Sequence, residues 1–312
     1  MREVLDFNEN WIFEGSEVRL PHSAVELPFN YFDEKTYQRQ FVYEKTFSFE
    51  SSWIGKEVYV VFEAAMANAQ VFLNSVEIIT HTDGYTPFEG RMTEHLQPGD
   101  NVLRVIIDGT ENPSIPPFGG RMDFLTFAGL YREVFLRLTA PVFIDCLKVE
   151  TPNVLAEKKS LKVVVSLSNP QRLRISGQMK VNLLNSEGES LADSTLDISS
   201  NMLSFELSGL TDILLWDVDN PKLYSLLLNI KTSNGEDIFT ERFGFRSAQF
   251  LNEGFMLNGR LLKIRGLNRH QSYPYVGYAL GKSAQVKDAD ILKYDLRLNL
   301  VRTSHYPQSK HF

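Results

Sequence analysis

Leu261-Leu262-Lys263-Ile264-Arg265-Gly266-Leu267-Asn268-Arg269-His270 and, further on, Asn299-Leu300-Val301-Arg302-Thr303-Ser304-His305-Tyr306-Pro307 bracket the stretch whose reading decides the architecture. The first segment opens as a short strand, Leu261 to Gly266, and runs into a loop. From about Ala284 to Leu298 the apolar residues take a helical spacing. Val286, Ile291, Leu292 and Leu296 can share one face there, with Lys287, Asp288 and Lys293 outside it. Leu300-Val301-Arg302 is the second strand. Strand, helix and strand at this spacing predict a βαβ unit and hence a parallel sheet. Both strands end in loops carrying His, Arg and Asn, and in a (β/α)₈ barrel the active site lies at that end of the strands. A whole barrel takes about 250 residues, whereas the sequence from Gly254 onward offers roughly 60, or about two of eight strands.

Working back from this unit, the pattern changes from helical to alternating. Leu161 to Leu167, Gly177 to Leu184 and Met202 to Leu207 alternate apolar and polar residues, and Asn185-Ser186-Glu187-Gly188 reads as a hairpin turn. Some seven short strands over this length predict an immunoglobulin-like sandwich standing on packing alone. Earlier still, Phe41 to Phe49, Val102 to Asp108 and Tyr131 to Leu138 read as strands. Val58-Tyr59-Val60-Val61-Phe62 is an unbroken apolar run, as a strand covered on both faces would be. Asn74-Ser75 sits where a two-residue hairpin needs positive φ. Many strands at short spacing predict a sandwich or jelly roll. The expected organisation is mainly β: a jelly-roll β-sandwich over 1–140, which resembles sugar-binding jelly rolls, an immunoglobulin-like β-sandwich over 141–247, and the first βαβ of a TIM (β/α)₈ barrel, incomplete, over 248–312.

Composition narrows the functional classes. The net charge of −7 argues against nucleic acid or an anionic membrane as partner. No apolar run reaches the roughly 20 residues that span a bilayer, and the opening Met1 to Trp11 lacks the apolar core of a secretion signal, so a cytoplasmic location is expected. The single cysteine, Cys146, excludes an intrachain disulfide or a thiolate metal cluster, and its simplest reading is a small buried hydrophobe. Trp11, Trp53 and Trp216 read as sandwich core rather than sugar-stacking platforms, and His22, His81 and His95 as surface or turn residues.

The residues resemble glycoside hydrolase family 2, the family of β-galactosidases, β-glucuronidases and β-mannosidases. Asn299 to Pro307 is similar to a signature of the family, and Ile264 to His270 to the end of its first barrel strand. Leu215-Trp216 with Asn220 to Tyr224, and Phe243-Gly244-Phe245-Arg246, resemble the later part of its middle sandwich. Asp123-Phe124-Leu125 with Ala128 to Arg132 resembles a first-domain segment that reaches toward the active site. The resemblance implies retaining hydrolysis of O-glycosyl bonds in carbohydrate metabolism. One carboxylic acid would protonate the leaving oxygen and a second carboxylate would attack the anomeric carbon. Both would be glutamates on later barrel strands, beyond Phe312, so the expectation is an inactive fragment of an active parent. Asn268-Arg269-His270 favours a β-galactosidase-like parent over a β-glucuronidase-like one. A non-catalytic carbohydrate-binding or assembly module is the reading from another class.

The resemblance also assigns roles. Arg302, otherwise a structural ion-pair partner, would orient the nucleophilic glutamate and lower its pKa. Asp123, Asn268, His270 and His305 would bind substrate hydroxyls, against the plainer readings of a turn aspartate and hydrogen-bonded loop histidines. Imidazole suits this task because it can donate to one hydroxyl and accept from another. Asp123 is also the candidate sodium ligand. No cofactor is expected for the fragment, with sodium or magnesium ions for the parent. A β-linked sugar is the expected partner, and a homo-oligomer the expected assembly.

Overall fold

The computed structural model describes residues 2–28, 33–116, 118 and 124–312. By internal packing the chain divides into two units: residues 1–3 with 139–265, and residues 4–138 with 266–312. The architecture is a jelly-roll sandwich, an immunoglobulin-like sandwich and the start of a TIM barrel.

The jelly roll pairs a six-stranded sheet with a four-stranded one. In spatial order the larger sheet is Ser16–Val18, Trp11–Phe13, Gln40–Ser48, Asp100–Asp108, Ala69–Leu73 and Val76–His81. Period-two alternation buries one side of each long strand. In Gln40–Ser48, Phe41, Tyr43 and Lys45 are buried while Gln40, Glu44 and Thr46 are exposed. Strand Glu57–Phe62, in the smaller sheet, is buried at every position, as its unbroken apolar run predicts. Its one carboxylate, Glu57, is fully buried and is held by Arg91 at 2.6 Å and the Thr93 hydroxyl at 3.0 Å, so its charge is compensated. Asn74 and Ser75 both take positive φ, 49° and 70°, as the hairpin requires.

The immunoglobulin-like sandwich has a three-stranded sheet, Phe143–Glu150, Lys159–Ser168 and Met202–Leu210, and a four-stranded one, Ser190–Ile198, Gly177–Leu184, Tyr224–Thr232 and Gly235–Phe243. Leu161, Val163, Val165, Val181, Leu226 and Leu228 fill its core. Cys146 departs from expectation. It is an exposed free thiol, because the register of Phe143–Glu150 slips between Ile144 and Cys146 and re-aims the side chain. Trp216 also lies outside the core. It is half-buried beneath the Arg246 guanidinium, 5.0 Å from the ring, whereas Trp11 and Trp53 are buried as expected.

The βαβ element is parallel, with the register Gly266↔Leu300, Leu267↔Val301, Asn268↔Arg302 and Arg269↔Thr303. Two details differ from the sequence reading. The first parallel strand is Gly266–Arg269 rather than Leu261–Gly266. Arg260–Leu261 instead pairs antiparallel with Gly254–Leu257. The helix spans Lys282–Asp290 and continues as a π turn, Ile291–Asp295. Its less exposed side includes Gln285, Asp288, Ala289 and, as expected, Ile291 and Leu292, while Val286 and Leu296 are exposed. Gln285 and Asp288 join that side because the adjacent strand presents Arg269, which they bond.

Candidate sugar-binding site

Registered partners on parallel strands share a face. Asn268 and Arg302 therefore lie together, and Arg269 with Thr303 on the other side. Arg269 marks which side meets the helix. Buried to 6 % exposure, it donates to Asp288 Oδ2 at 2.5 and 3.0 Å and to Gln285 Oε1 at 2.9 Å, with Gln308 and the Phe312 ring completing its surroundings. Asp288 also accepts from the Tyr273 hydroxyl at 2.8 Å. Arg269 thus cements strand, helix and following loops. Asn268 and Arg302 are left on the face away from the helix, both exposed.

Each strand delivers a histidine just past its end. His270 and His305 meet edge to face, ring centres 5.7 Å apart at 80°. Phe124 lies 5.4 Å from His270 and 6.1 Å from His305. Ser304 is buried. It receives the Arg302 guanidinium at 3.3 Å and contacts a ring nitrogen of His305 at 3.1 Å, so one hydroxyl links two of the candidates. Asp123, the remaining substrate candidate and the sodium candidate, lies outside the described residues. Among the described residues no group of three or more His, Cys, Asp or Glu could hold a metal ion.

Beneath the histidines lies an aromatic floor that the sequence reading missed. Tyr306 is buried, stacks on Tyr85 at 4.5 Å and 3°, and meets Phe124 edge to face at 5.5 Å. Tyr278 packs against Tyr306 at 5.5 Å and Tyr131 at 5.6 Å. Burial, before any other cause, pushes the phenols of Tyr85, Tyr131, Tyr278 and Tyr306 above their ordinary value, so all four stay neutral. Arg132 fastens the floor to the loop, donating to the carbonyls of Tyr85 at 3.1 Å and Pro307 at 2.6 Å. Only adjacency hinted at this floor: Phe124 follows Asp123, and Tyr306 follows His305.

Other acidic groups near the loops are engaged. Glu63 pairs with Lys310 at 2.5 Å, and Glu133 with His311 at 2.9 Å. The arrangement offers imidazole, amide, guanidinium and ring faces, a set suited to binding neutral hydroxylated ligands.

The profile of the glycosyl hydrolases family 2 sugar-binding domain matches residues 16–141, that of the central glycosyl hydrolases family 2 domain residues 142–246, and that of the family 2 TIM barrel domain residues 249–312. The chain belongs to glycosyl hydrolase family 2. Relatives that match all of it include a β-galactosidase of Thermoanaerobacterium thermosulfurigenes, 45 % identical, and a β-galactosidase of Rhizobium meliloti, 43 % identical. The chain spans 46 % and 43 % of their respective lengths. The crystal structure of a Bacteroides uniformis β-glucuronidase has the same fold over all of this chain and 40 % of its own, with a TM-score of 0.88 at 23 % identity. Among the described residues no helix is long and apolar enough to cross a membrane.

Proposed function

We propose that this chain forms the hydroxyl-binding side of the active site of a retaining β-glycosidase of β-galactosidase type. The observation that carries the reading is the meeting of His270 and His305 at the ends of two adjacent parallel strands, with Asn268 and Arg302 on the shared open face. Two imidazoles 5.7 Å apart can address neighbouring hydroxyls of one sugar ring. Arg302, exposed beside them, would hold and charge the nucleophilic carboxylate. Asp123 would add a further hydroxyl contact and, with sodium, a cation site. A dependence of turnover on sodium that Asp123→Asn removes is the expected sign of that ion.

Retaining hydrolysis needs two carboxyl groups about 5 to 5.5 Å apart. Asp288, Glu63 and Glu133 are committed to Arg269, Lys310 and His311 and are unsuited to that work. By resemblance to the family, the acid/base and nucleophile would be glutamates on later barrel strands, and these 312 residues would bind sugar without cleaving it. The preference for galactose rests on relatives at 45 % and 43 % identity. The single exposed thiol of Cys146 suits a reducing compartment and supports the cytoplasm as the place of action.

The test is a chimera in which this chain is continued by the remaining barrel of the Thermoanaerobacterium β-galactosidase. His270→Ala and Arg302→Ala in that protein should each lower kcat/KM for an aryl β-galactoside by at least about 100-fold, the range expected when a transition-state contact is lost. Wild-type kcat/KM in both variants would refute the assignment.

A further inference from the structure

We propose that Tyr306 is a positioning residue that fixes His270 as the tautomer carrying its proton on Nε2. The Tyr306 hydroxyl lies 3.2 Å from His270 Nδ1 and 3.4 Å from the backbone N–H of Gln271. A backbone N–H can only donate, so it occupies the acceptor side of the phenol oxygen. That leaves the phenol O–H for Nδ1, and with the O–H directed there Nδ1 accepts and carries no proton. Which nitrogen of a histidine is protonated follows from the hydrogen bond the other one makes.

The geometry leaves Tyr306 little freedom to do otherwise. Its ring is 4 % exposed and lies parallel to Tyr85, with Phe124 and Tyr278 against its edges. The backbone on both sides of that stack is held by one residue, since Arg132 bonds to the carbonyls of Tyr85 and Pro307. Burial keeps the phenol neutral, so it remains a donor.

The consequence concerns recognition. With Nδ1 accepting, Nε2 carries the proton, so any group that meets Nε2, a sugar oxygen included, must accept. This extension to substrate rests on the glycosidase reading; the tautomer itself does not.

The experiment is two-bond proton–nitrogen correlation NMR of the histidine rings in this chain, at a pH where they are neutral, with His270 assigned by its loss in His270→Gln. The expected result is a single His270 species with Nε2 protonated and Nδ1 unprotonated and hydrogen-bonded. In Tyr306→Phe, which keeps the ring and its stacking, the Nδ1 resonance should move to its unbonded position or a second tautomer should appear. The signals of His22 and His81 should stay in place and report an intact fold. A protonated Nδ1 in the wild type, or ring-nitrogen signals of His270 identical in the variant, would overturn the proposal. In the chimera, Tyr306→Phe should raise KM for an aryl β-galactoside about tenfold, the effect of one lost hydrogen bond, and an unchanged KM would count against the link to substrate. A chimera without any glycosidase activity would defeat the functional reading and leave the NMR result standing.

Discussion

Replacing Arg269 by alanine tests how the two strand ends are held in place. The residue is 6 % exposed, and its guanidinium bonds Asp288, Gln285 and Gln308. Removing one partner of a buried ion pair costs about 3–5 kcal/mol, because the other charge is stranded. Here the lower end applies. The Asp288 side chain is 16 % exposed and keeps the Tyr273 hydroxyl at 2.8 Å, so part of its charge stays solvated. The buried Gln285 Oε1 loses its donor as well. About 3 kcal/mol corresponds to roughly a hundredfold increase in local opening. The natural probe is hydrogen exchange at the Ser304 amide, which donates to the Arg269 carbonyl at 3.1 Å across the parallel pair. Its exchange should accelerate by about that factor. Asp288→Asn should accelerate it less, and the double variant should fall short of the sum of the two by about 2 kcal/mol. Arg269→Lys, which keeps the charge and loses the planar fork, should fall between. Acceleration below tenfold in Arg269→Ala, or strict additivity with Asp288→Asn, would refute the claim that this pair anchors the site.

Two further outcomes concern the fold around the site. Gly266→Ala should destabilise the parallel pair by about 1–3 kcal/mol, because an added Cβ would lie 2.7 Å from the Leu300 carbonyl oxygen; exchange across Gly266–Arg269 and Leu300–Thr303 measures it, and unchanged protection would contradict the register. Burial holds His22 and His81 below their ordinary value of 6.5, against the opposing pull of Glu26 and Asp83. As pH falls past 6.5 the unfolded chain therefore takes up protons before the folded one. This contribution to stability is present above that pH and is lost below it. The urea midpoint should drop between pH 7.5 and 5.5, and His22→Gln with His81→Gln should flatten the drop.

How much of this was legible depended on the range of the interactions. The sandwiches were readable because their signals are local: alternation in Gly177–Leu184, the unbroken apolar run at Glu57–Phe62, and turns at Asn74-Ser75 and Asn185 to Gly188, where Asn185 Oδ1 accepts the backbone N–H groups of Glu187 and Glu189. The placement of His270 and His305 at adjacent strand ends was readable because two strand ends repeated the same residue chemistry. The helix face was legible only in part, with Ile291 and Leu292 half-buried and Val286 and Leu296 exposed, because hydrophobic spacing cannot anticipate a buried arginine that draws Gln285 and Asp288 inward. The exposure of Cys146 followed from a register slip with no sequence signature of its own. The aromatic floor was hidden for a different reason: Tyr85, Phe124, Tyr278 and Tyr306 are far apart in sequence, and only folding brings their rings within 4.5 to 6.3 Å of one another.

The central claim is that these residues form one side of a retaining β-glycosidase site whose carboxylates come from elsewhere in the barrel. The most direct measurement follows hydrolysis of an aryl β-galactoside by proton NMR, using this chain by itself and the chimera that supplies the missing strands. The account predicts no turnover by the chain, and hydrolysis by the folded chimera in which β-galactose appears first. Turnover by the chain itself, or first release of α-galactose by the chimera, would contradict it.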